Sequence, residues 1–205
     1  MDTLQLGCFY HIYNHANSKE NLFIEQENYR YFLQQYKKYI PPIAHTYCYC
    51  LMPNHFHLLL QIKTEPELLQ NFSKYTTVEK LMINNCMSKQ FSHLFSSYTQ
   101  SVNNRYKRRG SLFVKNFKRK PILQDEYFST LVAYIHCNPV RHGFTKYPWQ
   151  WRWSSYNAMF KQSFTIVKRT EIINWFGNID RLKEYHLQYL RNKYSLAFNP
   201  NYGSA

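Results

Sequence analysis

Along the chain, apolar positions recur with period two, then near 3.6, then with period two again, the mark of strands alternating with helices. Residues 8–14 (CFYHIYN) are aromatic and β-branched and predict a first strand, followed by a polar loop over 14–21. Tyr29, Phe32, Leu33 and Tyr36 stand at helical spacing, which predicts a helix over 25–39 that stops before Pro41-Pro42. Two β-type runs, 43–52 and 55–62, flank Pro53-Asn54, a good turn pair, and predict an antiparallel hairpin. A long helical region over 65–106 opens on a capping box at Thr64-Glu65-Pro66-Glu67 and breaks near Thr76-Thr77. Residues 111–122 (SLFVKNFKRKPI) predict a further strand with a basic end. A helix opens at Asp125 and runs to Asn138, where Pro139 limits it. Residues 147–156 (YPWQWRWSSY) read as irregular and aromatic, 170–193 as one or two amphipathic helices, and 201–205 as frayed. The order β-α-β-β-α-β-α predicts an α+β fold, an antiparallel sheet with helices on one face. We read 1–160 as one domain and 161–205 as a helical C-terminal extension with no assignable task.

Charge changes this picture more than composition does. Hydrophobic residues make up 44% of 205, enough for a packed core, while 26 Lys and Arg against 12 Asp and Glu give a net charge of +14. Such a charge repels itself, so a polyanionic partner is the natural reading. Nineteen tyrosines and fifteen phenylalanines exceed what the core needs. Cations for phosphates beside rings for unpaired bases fit nucleic acid; a basic surface without a specific partner is the plainer alternative. Five cysteines, unevenly spaced, argue against a secreted disulfide scaffold, and Cys48 and Cys50 read as buried reduced thiols on one strand face. With no signal peptide and no run near the roughly 20 apolar residues of a membrane span, the expected location is the cytoplasm, on the nucleoid when DNA is bound.

The sharpest chemical feature is His55-Phe56-His57 at the head of an apolar strand. Period-two geometry turns both imidazoles to one face, where a shared cation is the simplest reason to keep them together. Two half-exposed strand histidines with no ligand are the bland reading. On the helix over 125–138, Tyr127, Phe128, Leu131, Val132 and Ile135 form a buried stripe; Tyr134 lies on its edge, with Asn138 one turn further on the same side. Alone, that tyrosine reads as a rim residue and the asparagine as a helix terminus. Together the four residues describe a device: two neutral imidazoles and an amide oxygen to hold a divalent cation, Mg or Mn, and a phenol to attack phosphorus. Arg105, Lys107, Arg108, Arg109, Lys118, Arg119, Lys120 and Arg141 are the candidate DNA contacts, with a solvated charge run as the alternative.

Leu51-Met-Pro-Asn-His-Phe-His-Leu-Leu-Leu60 together with Tyr134-Ile-His-Cys-Asn-Pro-Val-Arg-His-Gly143 resembles the single-tyrosine transposases of the HUH endonuclease superfamily. Within it the chain is similar to the broad group that includes the REP-associated tyrosine transposases. Tyr10-His-Ile-Tyr-Asn14, Gly110-Ser-Leu-Phe113 and Trp153-Ser-Ser-Tyr156 follow in the expected order. The resemblance implies a ferredoxin-like sheet with the histidines on a central strand and the tyrosine on a helix across it. It implies His55, His57 and Asn138 as metal ligands and Tyr134 as the nucleophile that becomes linked to a 5′-phosphate of single-stranded or hairpin DNA. The freed 3′-hydroxyl then rejoins strands, and both monomers and homodimers fit. Where REP-associated members carry a Gly-Thr-aromatic signature, this chain has Gly7-Cys8-Phe9, which bears on whether REP-type repeats are its target.

Two rival functions fit the residues less well. A domesticated nucleic-acid-binding protein that no longer cuts would have tended to lose one of His55, His57, Tyr134 and Asn138. A metal phosphoesterase of the histidine-triad kind needs a third histidine where Leu59 stands, and barrel amidohydrolases need ~250 residues.

Overall fold

The computed structural model describes residues 3–71 and 80–194, so the break expected near Thr76-Thr77 and the frayed 201–205 tail lie outside the described residues. Strands β1 (Phe9–His15), β2 (Ala44–Met52), β3 (His55–Ile62) and β4 (Lys118–Pro121) form one sheet in the order β2-β3-β1-β4, antiparallel throughout. This is the ferredoxin-like order: β1 lies between the β2-β3 hairpin and the late strand β4. The hairpin turns at Pro53-Asn54, as the sequence predicts.

Helix α1 (Gln26–Tyr39) begins with a reciprocal cap, in which the Glu25 side chain takes the Asn28 backbone N–H and Asn28 Oδ1 takes the Glu25 N–H at 3.0 Å. Its buried face, Tyr29, Phe32 and Tyr36, packs with α3 (Lys80–Tyr106) through Phe91, Leu94, Tyr98 and Val102. The short α2 (Glu65–Asn71) precedes α3, and Glu67 reaches back to the Thr64 N–H at 2.9 Å. Phe56, Leu58 and Leu60 of β3 point into the layer made by α1 and α3. Full burial of such a side chain contributes about 1.5–3 kcal/mol. Helices α1 and α3 thus cover one face of the sheet.

The other face is covered as well. Leu59 packs with Cys48, Cys50 and Met52 against Phe128, Leu131, Val132 and Ile135 of α4 (Asp125–Arg141). β3 is therefore buried on both sides, which is why Leu58-Leu59-Leu60 reads as an unbroken apolar run. Beyond α4 come α5 (Tyr156–Phe160) and, in the extension, α6 (Arg169–Phe176) and α7 (Ile179–Tyr194). Gly177 separates the last two at φ +92°, a conformation that residues with a Cβ rarely adopt, so the 170–193 segment makes two helices. Cys48, Cys50 and Cys137 are buried free thiols, and burial pushes all three upward in pKa.

Three local expectations need correction. The strand expected over 111–122 is confined to Lys118–Pro121; before it the chain runs irregularly beside the end of β1, with Val114 N–H donating to the His15 carbonyl at 2.9 Å. Leu112 and Phe113 are buried side by side, which breaks alternation, and Asn116 sits at φ +64°. Helix α4 continues past Asn138 to Arg141 although Pro139 gives up the hydrogen bond its N–H would make one turn back; Asn138 and Pro139 carbonyls accept from His142 and Phe144 at 3.1 and 2.9 Å. Tyr127, expected in the buried stripe, is half-buried beneath the Lys120 ammonium, 4.4 Å from its ring centre.

Candidate active site

Register assembles the site. Tyr13 pairs with His57 and His15 with His55, so β1 adds His11, Tyr13 and His15 to the face of β3 that carries the two predicted histidines. Helix α4 lies over this face and brings Tyr134 and Asn138 to it. The Tyr134 ring is 5.3 Å from that of His57 and 6.1 Å from that of His11, edge to face in both cases. Asn138 is fully buried and presents Oδ1 to His55 Nε2 at 3.2 Å. His142, just past the end of α4, places its ring 5.1 Å from His55, and His15 stacks on His55 at 5.0 Å.

The hydrogen bonds define what each ring offers. Both ring nitrogens of His55 meet amide oxygens, Nδ1 that of Asn54 at 2.7 Å and Nε2 that of Asn138 at 3.2 Å; a neutral ring has one proton, the shorter contact takes it on Nδ1, and Nε2 then carries a lone pair. That lone pair faces another acceptor, Asn138 Oδ1, while Asn138 Nδ2 is buried without a partner. His57 Nδ1 meets His11 Nε2 at 2.9 Å, leaving Nε2 of His57 as its outward atom. Burial lowers the pKa of His55 to about 4, helped by nearby His15, His142 and Arg141 and opposed by the Asn138 contact. Burial, then His11 and His55, holds His57 well below the usual imidazole value, and burial with Lys120 holds His11 at about 4. These rings are neutral at neutral pH, the state in which imidazole binds metal.

The donor set fits a hard or borderline divalent cation. Two ligands at right angles with bonds of about 2.1 Å stand about 3 Å apart, close to the 3.2 Å between His55 Nε2 and Asn138 Oδ1. Two facing acceptors are what a cation at this point would relieve. Among the described residues no three His, Cys, Asp or Glu side chains gather into a metal-holding group; the third donor here is an amide. His11 supports a candidate ligand from behind, an arrangement typical of metal-binding histidines.

No family model matches the sequence. The chain is 28% identical over 137 residues to a protein of Haemophilus influenzae described as a REP-associated tyrosine transposase, covering 66% of this chain and 68% of that one. A solved structure of a REP-associated tyrosine transposase bound to a REP hairpin shares the fold, with a TM-score of 0.57 at 13% identity over 82% of this chain and 96% of that one. In sequence this chain is similar to the first of these proteins, and in fold to the second. The expected resemblance to the REP-associated tyrosine transposases and the expected ferredoxin-like fold are both met.

Relative to this site, the basic residues divide in ways the sequence does not disclose. Lys118 pairs with Tyr13 and Lys120 with His11, so both share the face of the histidines, whereas Arg119 points to the opposite face and stacks on Phe117 at 4.9 Å. Arg141 is exposed at the end of α4, its Nη1 donating to Tyr134 Oη at 3.0 Å. Arg105 is tied to Glu25, and Arg108 to Glu20 at 2.5 Å and to Asn103, while Lys107 and Arg109 are exposed. Sequence reasoning passed over His11, His15 and His142. The signal was present: His11 and His15 share one face of a strand, and His142 lies one turn beyond Asn138.

Among the described residues no helix is long and apolar enough to cross a membrane.

Proposed function

We propose that this chain is a DNA strand-transferring enzyme acting on single-stranded or hairpin DNA, with Tyr134 as nucleophile and His55, His57 and Asn138 as ligands of a divalent metal, Mg or Mn. The observation that carries the reading is the convergence of Tyr134 and Asn138 from α4 on the His55/His57 face of β3. The similarity to a REP-associated tyrosine transposase supports it, and the structural neighbour's REP hairpin supports a folded single strand as partner.

Bound there, a divalent cation would polarise the scissile phosphate and stabilise the charge that builds on it. Tyr134 Oη attacks phosphorus and loses its proton to solvent; the bond to the 3′ oxygen breaks, and that oxygen takes up a proton. The 5′-phosphate is then held on Tyr134, and a 3′-hydroxyl can later reverse the step without an external energy source. Asn138 and His55 hold one edge of the site, and His11 fixes the His57 ring. Arg141 and Lys118 and Lys120 offer cations to flanking phosphates.

The test is incubation of the protein with labelled hairpin DNA and Mn, then denaturing electrophoresis. A covalent protein–DNA adduct supports the reading. Binding with no adduct and no cleavage would leave a DNA-binding protein that does not cut.

A further inference from the structure

Helix α7 belongs to the extension to which the sequence assigned no task, yet it is bonded to the back of the helix that carries Tyr134. His186 of α7 is fully buried, and its Nδ1 donates to the Leu182 carbonyl at 2.7 Å. A carbonyl only accepts, so the ring proton sits on Nδ1, and Nε2 is an acceptor. That Nε2 lies 2.9 Å from Nδ1 of His136, also fully buried, which must therefore donate. His136 Nε2 then accepts from Ser155 Oγ at 2.8 Å, and Ser155 Oγ accepts the Tyr49 backbone N–H at 2.9 Å. Every nitrogen of both rings is used, and neither ring has a carboxylate partner among the described residues. The two rings stack at 5.1 Å, and Tyr156 meets both edge-on at 5.6 and 5.2 Å.

The relay thus runs from β2 through the turn before α5 to α4 and on to α7. Its place on α4 gives it meaning. A helix turns about 100° per residue, so His136 stands about 200° from both Tyr134 and Asn138. Those two face the histidine cluster of the sheet, and His136 faces away. Apolar packing holds a helix against a sheet but is weakly directional, whereas hydrogen bonds weaken steeply with misalignment. A bond on the back of α4 therefore fixes its rotation about its own axis, and with it the direction of the two side chains on the front.

We propose that His186 is a positioning residue for Tyr134 and Asn138, acting through His136 to set the rotation of α4 against the sheet. The inference rests on the assignment of Tyr134 and Asn138 to the reaction; the hold of α7 on α4 stands apart from it. A displacement of about 1 Å at a reacting group can cost about a hundredfold in rate, so a modest rotation is enough to matter.

The experiment compares His186→Leu, which removes the acceptor, with His186→Gln, whose side-chain oxygen can accept from His136 Nδ1. Leu190→Ala serves as the control, since Leu190 is a fully buried α7 residue outside the relay. Two readouts are taken on the full chain: amide hydrogen exchange in peptides covering 131–141, and the single-turnover rate of hairpin cleavage with Mn at saturating protein. His186→Leu is expected to speed exchange in α4 more than in the β2-β3 hairpin and to slow cleavage about tenfold or more at unchanged hairpin affinity. His186→Gln should recover most of both, while Leu190→Ala lowers the melting temperature without the selective effect on α4. Should His186→Leu fail to fold, Ser155→Ala breaks the other end of the relay and should give the same pattern more weakly. Cleavage by a folded His186→Leu at the wild-type rate, or an equal loss in Leu190→Ala, overturns the proposal. If the wild type itself does not cleave, the reading of the reaction fails, and unchanged exchange in α4 would separately overturn the positioning role.

Discussion

Asn138 Oδ1 lies 3.2 Å from His55 Nε2, although 83 residues separate them in sequence. One comes from the last turn of α4 and the other from the first residue of β3, and their contact joins the two motifs into one site. Two facing acceptors in a buried setting, with the amide's other end unpartnered, form a pair that the protein alone leaves unsatisfied.

The first prediction concerns that pair and its neighbour. His55→Ala, His57→Ala and Asn138→Ala should each weaken Mn binding measured by calorimetry, the histidine variants by tenfold or more, an order of magnitude common when a group of the ligand shell is removed. Chelator should stop cleavage by the wild type, and added Mn should restore it. Hairpin affinity should persist, because phosphate contacts supply most of it. Unaltered cleavage by the His55→Ala/His57→Ala protein in Mn would remove these residues from the metal site.

Tyr134→Phe removes one hydroxyl from a half-buried ring and should leave folding and metal and hairpin binding within about 0.5 kcal/mol of wild type. Cleavage and the covalent adduct should both vanish. Peptide mapping of the trapped wild-type adduct locates the linkage, and a phosphate found on Tyr13 or Tyr127 would show that a neighbouring ring is the nucleophile.

Strand parity separates the basic residues of β4. Lys118→Ala/Lys120→Ala should flatten the slope of log K against log salt for the hairpin by about 0.7–0.9 for each phosphate that is no longer neutralised. Arg119→Ala should change it less, because Arg119 lies on the other face against Phe117. An equal effect of both variants in a salt titration would show that charge, and not its face, is what counts.

Acid should destabilise the fold through the buried relay. Burial lowers His186 from its usual 6.5 to about 4, so above 6.5 the ring is neutral in folded and unfolded chains alike and exerts no pH dependence. As pH falls from 6.5 towards 4 the unfolded chain takes up the proton first, and stability is lost at up to about 1.4 kcal/mol per pH unit. The other buried histidines act in the same direction, so the difference between wild type and His186→Gln isolates this one. In denaturant titrations wild type should lose stability relative to the variant between pH 6.5 and 4; parallel curves would show that His186 titrates normally.

Much of the fold and the site was legible in the sequence because it is local. Period-two and period-3.6 patterns located the hairpin, α1 and α4, since each element must bury one face whatever it packs against. The same periodicity placed His55 beside His57 and Tyr134 above Asn138, because those relationships lie within a single strand or helix. It misjudged 111–122, where two adjacent buried residues and a left-handed Asn116 interrupt a β-rich composition.

What only the tertiary structure decided depends on partners distant along the chain. That α4 covers the sheet face opposite α1 and α3, that His15 and His142 gather round His55 while His11 meets His57, and that Lys118 and Lys120 share their face while Arg119 does not all follow from register and layer packing. His186 reaches the back of α4 for the same reason. A residue's own neighbours set its conformation and the direction of its side chain within an element; which elements meet is set by the burial of whole faces, and no local pattern encodes that choice.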